Sequence, residues 1–206
     1  MKKIYDINEK KKIENSLYEK GYKLIAGVDE VGRGPLAGPV VCACVILPQD
    51  CKIEGIDDSK KISEKKREQL YDQIIKVAIA YKVEYIFEDV IDDINILNAT
   101  KLCMANCINN ISVKPDIVLI DAVEGLDVDV KTKSIVHGDA NSYIIGAASI
   151  VAKVERDRYM VELSKQFPGY DLDKNKGYGT KTHMQALREI GPTKIHRKSF
   201  IKFLDN

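Results

Sequence analysis

The chain has 206 residues, of which 45% are hydrophobic and 31% charged, a composition typical of a globular protein with one substantial core. Its formal net charge of +1 excludes attraction of nucleic acid through bulk charge, so any such binding must come from local clusters. No apolar run approaches the roughly 20 residues of a membrane span, and the first residues lead into further charge rather than an apolar signal region. We therefore expect a cytoplasmic protein with no membrane association.

Cysteine usage indicates reduced thiols. The five cysteines are odd in number and form no Cys-x-x-Cys pair, which argues against a disulfide framework and a structural zinc site. Cys42 and Cys44 alternate along an apolar strand, and Cys103 and Cys107 share a helical face, so these four are expected to pack in the core. A catalytic cysteine is the weaker alternative.

The first part of the chain predicts a helix, two strands, a second helix and a third strand. Residues 2–20 are lysine-rich and compatible with a helix. Strand signals follow at 23–29 and 39–47, and the second of these is nearly continuously apolar, as in a strand buried on both faces. Apolar residues recur on one helical face over 64–81, and residues 82–88 alternate as in a strand.

The second part predicts further alternation of helices and strands. A helix is expected over 98–112, a buried strand over 117–121 and a short strand over 133–136. A long helix over 142–165 begins with small residues that can pack closely on a sheet, and a last helix is expected over 181–190.

Strands and crossing helices in this order predict an α/β layered domain. We expect a catalytic domain over residues 1–165 and a small helical C-terminal extension over 166–206, packed on that domain.

Four acidic residues end or closely follow predicted strands: Asp29, Glu30, Asp121 and Asp139. Because ligand sites of α/β sheets lie beyond strand ends, residues far apart in sequence can meet there. Carboxylate oxygens suit hard cations such as Mg²⁺. Two divalent ions about 4 Å apart can activate water and offset charge in phosphodiester hydrolysis. The four residues are therefore the candidate catalytic and metal-binding set.

Consecutive strand residues point to opposite faces, so Asp29 and Glu30 cannot both reach one ion from a regular strand. Either the strand is distorted, or Glu30 serves the second ion or contributes through its backbone carbonyl. Gly32, Arg33 and Gly34 follow directly. Glycines let a backbone approach a ligand closely, and an arginine between them suits a phosphate or sugar edge.

Residues 27–39, Gly-Val-Asp-Glu-Val-Gly-Arg-Gly-Pro-Leu-Ala-Gly-Pro, resemble the signature of type 2 ribonucleases H, in particular the ribonuclease HII family. The related ribonuclease HIII type carries threonine where this chain has Arg33. Further segments that resemble the family occur in its order, from about residue 24 to 201: Asp58-Ser59-Lys60-Lys61, residues 94–98, Gly138-Asp139, residues 147–157, Lys176-Gly177-Tyr178 and residues 196–200.

The resemblance implies a ribonuclease H fold, a mixed central sheet flanked by helices with a helical C-terminal part. It also implies metal-dependent cleavage of RNA in RNA/DNA hybrids and at single ribonucleotides embedded in duplex DNA. Asp29, Glu30, Asp121 and Asp139 would be the metal-site residues, for two Mg²⁺ or Mn²⁺ ions. We expect a monomer that binds these nucleic acids.

Substrate contacts are also implied by the resemblance. Gly32, Arg33 and Gly34 would contact the ribonucleotide and its 2′-hydroxyl, and Tyr178 would stack on the sugar of the following deoxynucleotide. Lys60 and Lys61 would bind phosphates if the turn before them directs them there, and are otherwise solvated charge. Other basic clusters, equally open to both interpretations, are Lys65, Lys66 and Arg67, then Lys174, Lys176 and Lys181, and finally Lys194, His196, Arg197 and Lys198.

The chain departs from the family pattern at two places. Ala-Val-Glu follows Asp121 where the family often has glycine and asparagine, and Asn175 replaces a frequent histidine. Both leave the local loop shape open. Asp157 lies in a strong family motif, but we expect a helix-surface or salt-bridge residue rather than a metal ligand.

Two other functions compete with the ribonuclease. One is a DNA endonuclease or integrase of the same broad fold, and the Gly-Arg-Gly motif and Tyr178 argue against it. The other is a hybrid-binding protein without catalysis, which the four carboxylates disfavour because uncompensated acids would weaken binding to nucleic acid.

Overall fold

The computed structural model describes residues 6–204. Its centre is a five-stranded sheet of β1 (Ile25–Val31), β2 (Val40–Ile46), β3 (Ala80–Ile86), β4 (Ile117–Asp121) and β5 (Lys131–Ile135), in the order β3-β2-β1-β4-β5. β1, β2 and β3 pair antiparallel, whereas β4 pairs parallel with both β1 and β5. The mixed central sheet confirms the expected fold class.

Helices cover both faces of this sheet. In chain order they are α1 (Ile7–Lys10), α2 (Lys12–Glu19), α3 (Glu64–Val77), α4 (Glu88–Asn109), α5 (Gly138–Asn141), α6 (Tyr143–Gln166), α7 (Leu172–Asn175) and α8 (Lys181–Ile190). Short 3-10 turns lie at Ser59–Lys61, Lys198–Phe200 and Lys202–Leu204. No helix of residues 6–204 is long and apolar enough to cross a membrane.

The two sheet faces have separate cores because side chains alternate along each strand. Residues of α3 and α6 pack on the face that includes Ile25 and Val31 of β1. The helix α4 packs on the opposite face against Ala26 and Val28. The four cysteines predicted to be core residues, Cys42, Cys44, Cys103 and Cys107, are buried, free thiols on this α4 face.

Six elements differ from their predicted bounds by two residues or more. β1 spans Ile25–Val31 rather than 23–29, and β3 spans Ala80–Ile86 rather than 82–88. The predicted helix 2–20 is divided into α1 and α2 at Lys11, and its residues 2–5 lie outside the described part of the chain. The helix predicted to reach residue 81 ends at Val77, and Ala78 is no longer helical. The chain leaves the helix here because the Ile79 N–H donates to Ile46 O, at 2.9 Å, at the end of β2.

The helix predicted over 98–112 is the second segment of α4. Asn95 has φ 67° and interrupts the helix, and its side-chain oxygen accepts hydrogen bonds from Leu97 N and Asn98 N at 3.0 and 3.1 Å. This arrangement is that of an N-cap at the start of a new helix. β5 spans Lys131–Ile135 rather than 133–136. The predictions for β2, β4, α6 and α8 are confirmed to within a residue or so at each end.

Residues after α6 pack around a third apolar cluster. Tyr170, Leu172, Leu187 and Ile195 are buried there together with Met160 of α6. The division of the chain into a catalytic domain and an extension at residue 165 stays a prediction.

The helix α6 lies directly on β1. A Cβ built on Gly27 would lie 2.7 Å from Ile145 N and closer still to the carbonyl group of Ile144. The residues Ala147, Ala148 and Val151 of α6 are fully buried on this face. The backbone of α6 thus occupies the space that a side chain at position 27 would need. This close contact places the start of α6 beside β1 and β4.

We predict that Gly27→Ala lowers the free energy of unfolding by at least about 3 kcal/mol, because the helix backbone must move away from β1. Gly34→Ala is a matched control, since its added Cβ would meet only Tyr178 Cε1 at 3.8 Å, an ordinary contact. Denaturant unfolding of both variants and wild type measures the difference. Wild-type stability of Gly27→Ala would show that α6 does not pack on β1 as described.

Candidate active site

Three of the four candidate carboxylates meet at one edge of the sheet. Asp29 lies in β1, Asp121 ends the adjacent β4, and Asp139 lies in α5. One carboxylate oxygen from each residue falls within 4.8 Å of the other two. Gly138 N donates a hydrogen bond of 2.6 Å to Asp121 Oδ1, which fixes α5 to the end of β4. Residues more than a hundred positions apart thus form one acidic cluster.

Glu30 is separated from these three residues. β1 is a regular strand that continues to Val31, so Asp29 and Glu30 do not end the strand as predicted, and they point to opposite faces. The Glu30 Oε1 atom lies 3.3 Å from Arg33 Nη1. Its Oε2 atom is buried and has no hydrogen-bond partner among the described residues. Of the alternatives raised by the sequence, strand distortion is excluded.

Burial makes the ionised form of the cluster unfavourable. It raises the pKa of Asp29 well above the ordinary value, and the charges of Glu30 and Asp121 raise it further. Burial also raises the pKa of Asp121, and the charge of Asp139 adds to that effect. The pKa of Glu30 is raised by burial as well, although the Arg33 guanidinium works in the opposite direction. The protein alone therefore does not compensate the negative charge that it concentrates here.

A divalent cation fits this donor set. Hard cations such as Mg²⁺ take carboxylate oxygens as ligands, and Asp29, Asp121 and Asp139 each present one within a space of cation size. A cation would also offset the repulsion that raises the pKa values of Asp29 and Asp121. Glu30 has a further buried, unpartnered oxygen, and its charge raises the pKa of Asp29.

The loop after Asp121 shows the effect of the sequence departure. Ala122 has φ 47°, in the left-handed region that glycine adopts without strain. Ala122 therefore adopts a backbone conformation that glycine favours. Asn175, the second departure, donates to Tyr170 O at 2.7 Å and accepts from Gly177 N at 2.8 Å. Its side chain thus stabilises the turn that carries Tyr178.

Tyr178 faces the glycine-rich loop that follows β1. A Cβ on Gly34 would lie 3.8 Å from Tyr178 Cε1, and Tyr178 is 39% exposed. The backbone of Tyr178 is held by two histidines: the Tyr178 carbonyl oxygen lies 2.9 Å from His183 Nδ1, and His183 Nε2 lies 3.1 Å from Nε2 of the buried His196. Gly34 and Tyr178 thus lie next to each other, and both are exposed.

The basic clusters divide into exposed and buried members. Lys60 and Lys61 are exposed, and the charge of Lys60 lowers the pKa of Asp121 against the larger effect of burial. Arg67, His196 and Arg197 are buried, so their assignment to phosphate-binding clusters is wrong. The sequence reading missed this because a charge run does not reveal which members the fold encloses.

Asp157 is a salt-bridge residue, as expected, but it is buried rather than exposed on the helix surface. Its Oδ1 atom lies 2.6 Å from Lys153 Nζ, and its Oδ2 atom lies 3.6 Å from Arg67 Nη2. It does not belong to the acidic cluster.

Comparisons with known proteins agree with this geometry. The family model described as ribonuclease HII matches residues 26–203. Ribonuclease HII of Caldicellulosiruptor bescii is 52% identical over 190 residues, which cover 92% of both chains. Ribonuclease HII of Caldicellulosiruptor saccharolyticus is 50% identical over 190 residues, 92% of this chain and 93% of the relative.

Solved structures show the same fold. The ribonuclease H2 of Pyrococcus horikoshii OT3 superposes with a TM-score of 0.73 at 24% identity, over 88% of this chain and 97% of that one. The ribonuclease HII of Archaeoglobus fulgidus, solved in a complex with PCNA, gives a TM-score of 0.71 at 26% identity, over 85% and 94% of the chains.

The sheet topology and these structural neighbours define a ribonuclease H fold. The chain belongs to the ribonuclease HII family. It is therefore a hydrolase with ribonuclease H activity on RNA/DNA hybrids, from a metal-dependent family. Family membership also decides against a non-catalytic hybrid-binding protein and against a DNA endonuclease or integrase.

We predict that Asp29→Asn and Asp121→Asn lose most of the rise in unfolding temperature that Mg²⁺ gives wild type, because each removes a charged ligand. Binding to the folded state alone contributes about 1.4 kcal/mol at ten times the dissociation constant. In chelator, Asp29→Asn should unfold at or above the wild-type temperature, since a buried charge is removed. Thermal scans with and without Mg²⁺ test both expectations.

Asp157→Asn is the matched control, since Asp157 is a buried aspartate outside the cluster. It should lower the unfolding temperature but keep the Mg²⁺-dependent rise. An unchanged rise in Asp29→Asn and Asp121→Asn would remove both residues from the metal site.

Proposed function

We propose that the protein is an endoribonuclease that cleaves the RNA strand of RNA/DNA hybrids and also cleaves 5′ to single ribonucleotides embedded in duplex DNA. Asp29, Glu30, Asp121 and Asp139 hold two divalent ions, Mg²⁺ or Mn²⁺, and the products carry 5′-phosphate and 3′-hydroxyl ends. The protein acts as a monomer. The observation that carries the proposal is that Gly34 lies opposite Tyr178. Gly34 belongs to the loop that begins at Gly32, two residues after the Asp29–Glu30 pair in β1.

Recognition of one ribonucleotide in DNA requires contacts to its sugar, because the bases carry no information about the ribose. Gly34 is exposed, and an added Cβ there would meet only Tyr178 Cε1, at 3.8 Å. The exposed backbone of Arg33 and Gly34 can therefore approach a 2′-hydroxyl, whereas Gly32, which the sequence also assigned to this contact, is buried. An exposed tyrosine ring opposite them can pack on the next sugar if that sugar lacks a 2′-hydroxyl.

The chain's charges suit the reaction. Bound divalent ions supply a water of lowered pKa and positive charge for the phosphoryl oxygens. Asp29, Glu30, Asp121 and Asp139 would hold these ions. Arg33 is exposed beside Glu30 and contacts the phosphate or sugar edge. Lys60 and Lys61 bind flanking phosphates, which strengthens binding without reading the base sequence.

Product chemistry distinguishes hydrolysis by water from attack by the ribose. We predict that a duplex with one ribonucleotide gives a fragment that begins with a 5′-phosphorylated ribonucleotide and a fragment that ends in a 3′-hydroxyl. Mass spectrometry of the fragments identifies the ends, with an all-DNA duplex and a chelator as controls. A 2′,3′-cyclic phosphate would mean that the 2′-hydroxyl attacks, and the proposed hydrolysis would be wrong.

Two variants test sugar recognition. We predict that Gly34→Ala and Tyr178→Ala lower kcat/KM at a single embedded ribonucleotide at least about tenfold more than on a long RNA/DNA hybrid, which corresponds to about 1.4 kcal/mol. The measurement compares both substrates at one fixed salt concentration. Tyr81→Ala is the matched control, because Tyr81 is 42% exposed on β3. Equal losses on both substrates would leave these residues a general role in binding or folding.

A further inference from the structure

Two arginines are completely buried around the glycine-rich loop. Arg156 of α6 and Arg197 near the C-terminus each have 0% exposure and are the two largest fully buried side chains of the described residues. Neither forms an ion pair within residues 6–204. Burying a charge is costly unless its hydrogen-bonding groups are satisfied, so the partners of these guanidinium groups are informative.

Arg197 donates only to backbone carbonyls of the loop between β1 and β2. Its Nη2 atom lies 2.6 Å from Gly32 O and 2.7 Å from Gly38 O, its Nη1 atom 3.0 Å from Arg33 O, and its Nε atom 3.0 Å from Gly38 O. One guanidinium therefore joins the start and the end of the loop. It holds the carbonyls of two of the three residues proposed to contact the ribonucleotide.

Arg156 joins the same loop to the turn that carries Tyr178. Its Nε atom donates to Pro39 O at 2.9 Å and its Nη2 atom to Ala37 O at 3.2 Å. Its Nη1 atom donates to Lys176 O at 2.9 Å, two residues before Tyr178. The Tyr178 ring itself lies with its centroid 5.9 Å from the guanidinium carbon. Arg156 thus fixes both sides of the proposed recognition surface.

A glycine in the loop makes space for one of these guanidinium groups. A Cβ on Gly32 would overlap Arg156 Nε and lie 2.8 Å from Pro39 O, and Gly32 has φ +90°. Gly32 is therefore a glycine because of Arg156 and its own backbone conformation, whereas Gly34 faces the open Tyr178 side. A lysine could not substitute for either arginine, because a single ammonium group cannot reproduce the planar fork that reaches separate carbonyls.

Resting on the function proposed above, we propose that Arg156 and Arg197 are positioning residues that hold the Gly32–Gly34 backbone opposite Tyr178 and so set the preference for a single embedded ribonucleotide. They act through the loop and the turn. Their hydrogen bonds and ion pairs do not include Asp29, Asp121 or Asp139, so the metal site is not their point of action.

The experiment uses the full chain with Arg197→Lys and, as a second variant, Arg156→Lys. For each folded variant, kcat/KM is measured on a duplex with one ribonucleotide and on a long RNA/DNA hybrid. We expect a loss at least tenfold greater on the first substrate. The Mg²⁺-dependent rise in unfolding temperature should stay at its wild-type size, which separates loop positioning from damage to the metal site.

Leu70→Ala is the control for lost stability alone. Leu70 is fully buried in α3, outside the hydrogen bonds of Arg156 and Arg197, and its truncation leaves a cavity without removing any of those bonds. It should lower the unfolding temperature while the ratio of the two kcat/KM values stays at the wild-type value. If both lysine variants fail to fold, the same ratio is measured for Arg197→Gln at reduced temperature.

A double variant tests whether the arginine acts through the recognition surface. Arg197→Lys added to Tyr178→Ala should change the substrate ratio by less than twofold, because the surface that it positions is already lost. An unchanged ratio in the single lysine variants, or full additivity in the double variant, would overturn the proposal while Tyr178→Ala still affects the ratio. If Tyr178→Ala does not affect the ratio, the proposed sugar recognition itself is wrong, and the arginine proposal is overturned with it.

Discussion

Close packing of α6 on β1 is the contact on which the site depends. Because Gly27 lacks a side chain, the backbone of α6 reaches the strand, and Asp29 lies two residues further along the same face. Ser149 of α6 lowers the pKa of the Asp29 carboxyl, against the larger effect of burial. The short helix that carries Asp139 directly precedes α6. One close helix–strand contact therefore places two of the three clustered carboxylates.

The protein buries both arginines and carboxylates, but it compensates their charges to different extents. The arginines near the glycine-rich loop are satisfied by backbone carbonyls. Burial lowers the pKa of Arg156 to about 10 and that of Arg197 to about 9, so both stay protonated near neutral pH. Their role is structural organisation of a loop that has few side chains of its own.

The carboxylates have no comparable compensation. Backbone N–H groups of Gly138, Glu30 and Ala140 each donate one hydrogen bond to a cluster member, but repulsion within the cluster remains. A site with raised carboxyl pKa values and unsatisfied oxygens gains stability when a divalent cation enters. Metal dependence of the family follows from this electrostatic imbalance, and the neighbouring lysines of the 3-10 turn offset only part of it.

Local sequence determined most of the elements and the acidic set, because periodic apolar residues specify strands and helices and because acids near strand ends meet at one sheet edge. Strand alternation predicted that Asp29 and Glu30 could not both reach one ion from a regular strand, and the structure showed that the strand is regular. The end of α3 at Val77 was decided by pairing of the next strand with β2, and the kink at Asn95 by a side-chain cap within α4. Only the tertiary structure showed that Arg156 and Arg197 are buried. Their partners are backbone carbonyls, and every residue has one, so the sequence does not indicate which carbonyls accept these hydrogen bonds. The identity of a basic residue does not reveal whether it is exposed or buried, because long-range packing decides its position.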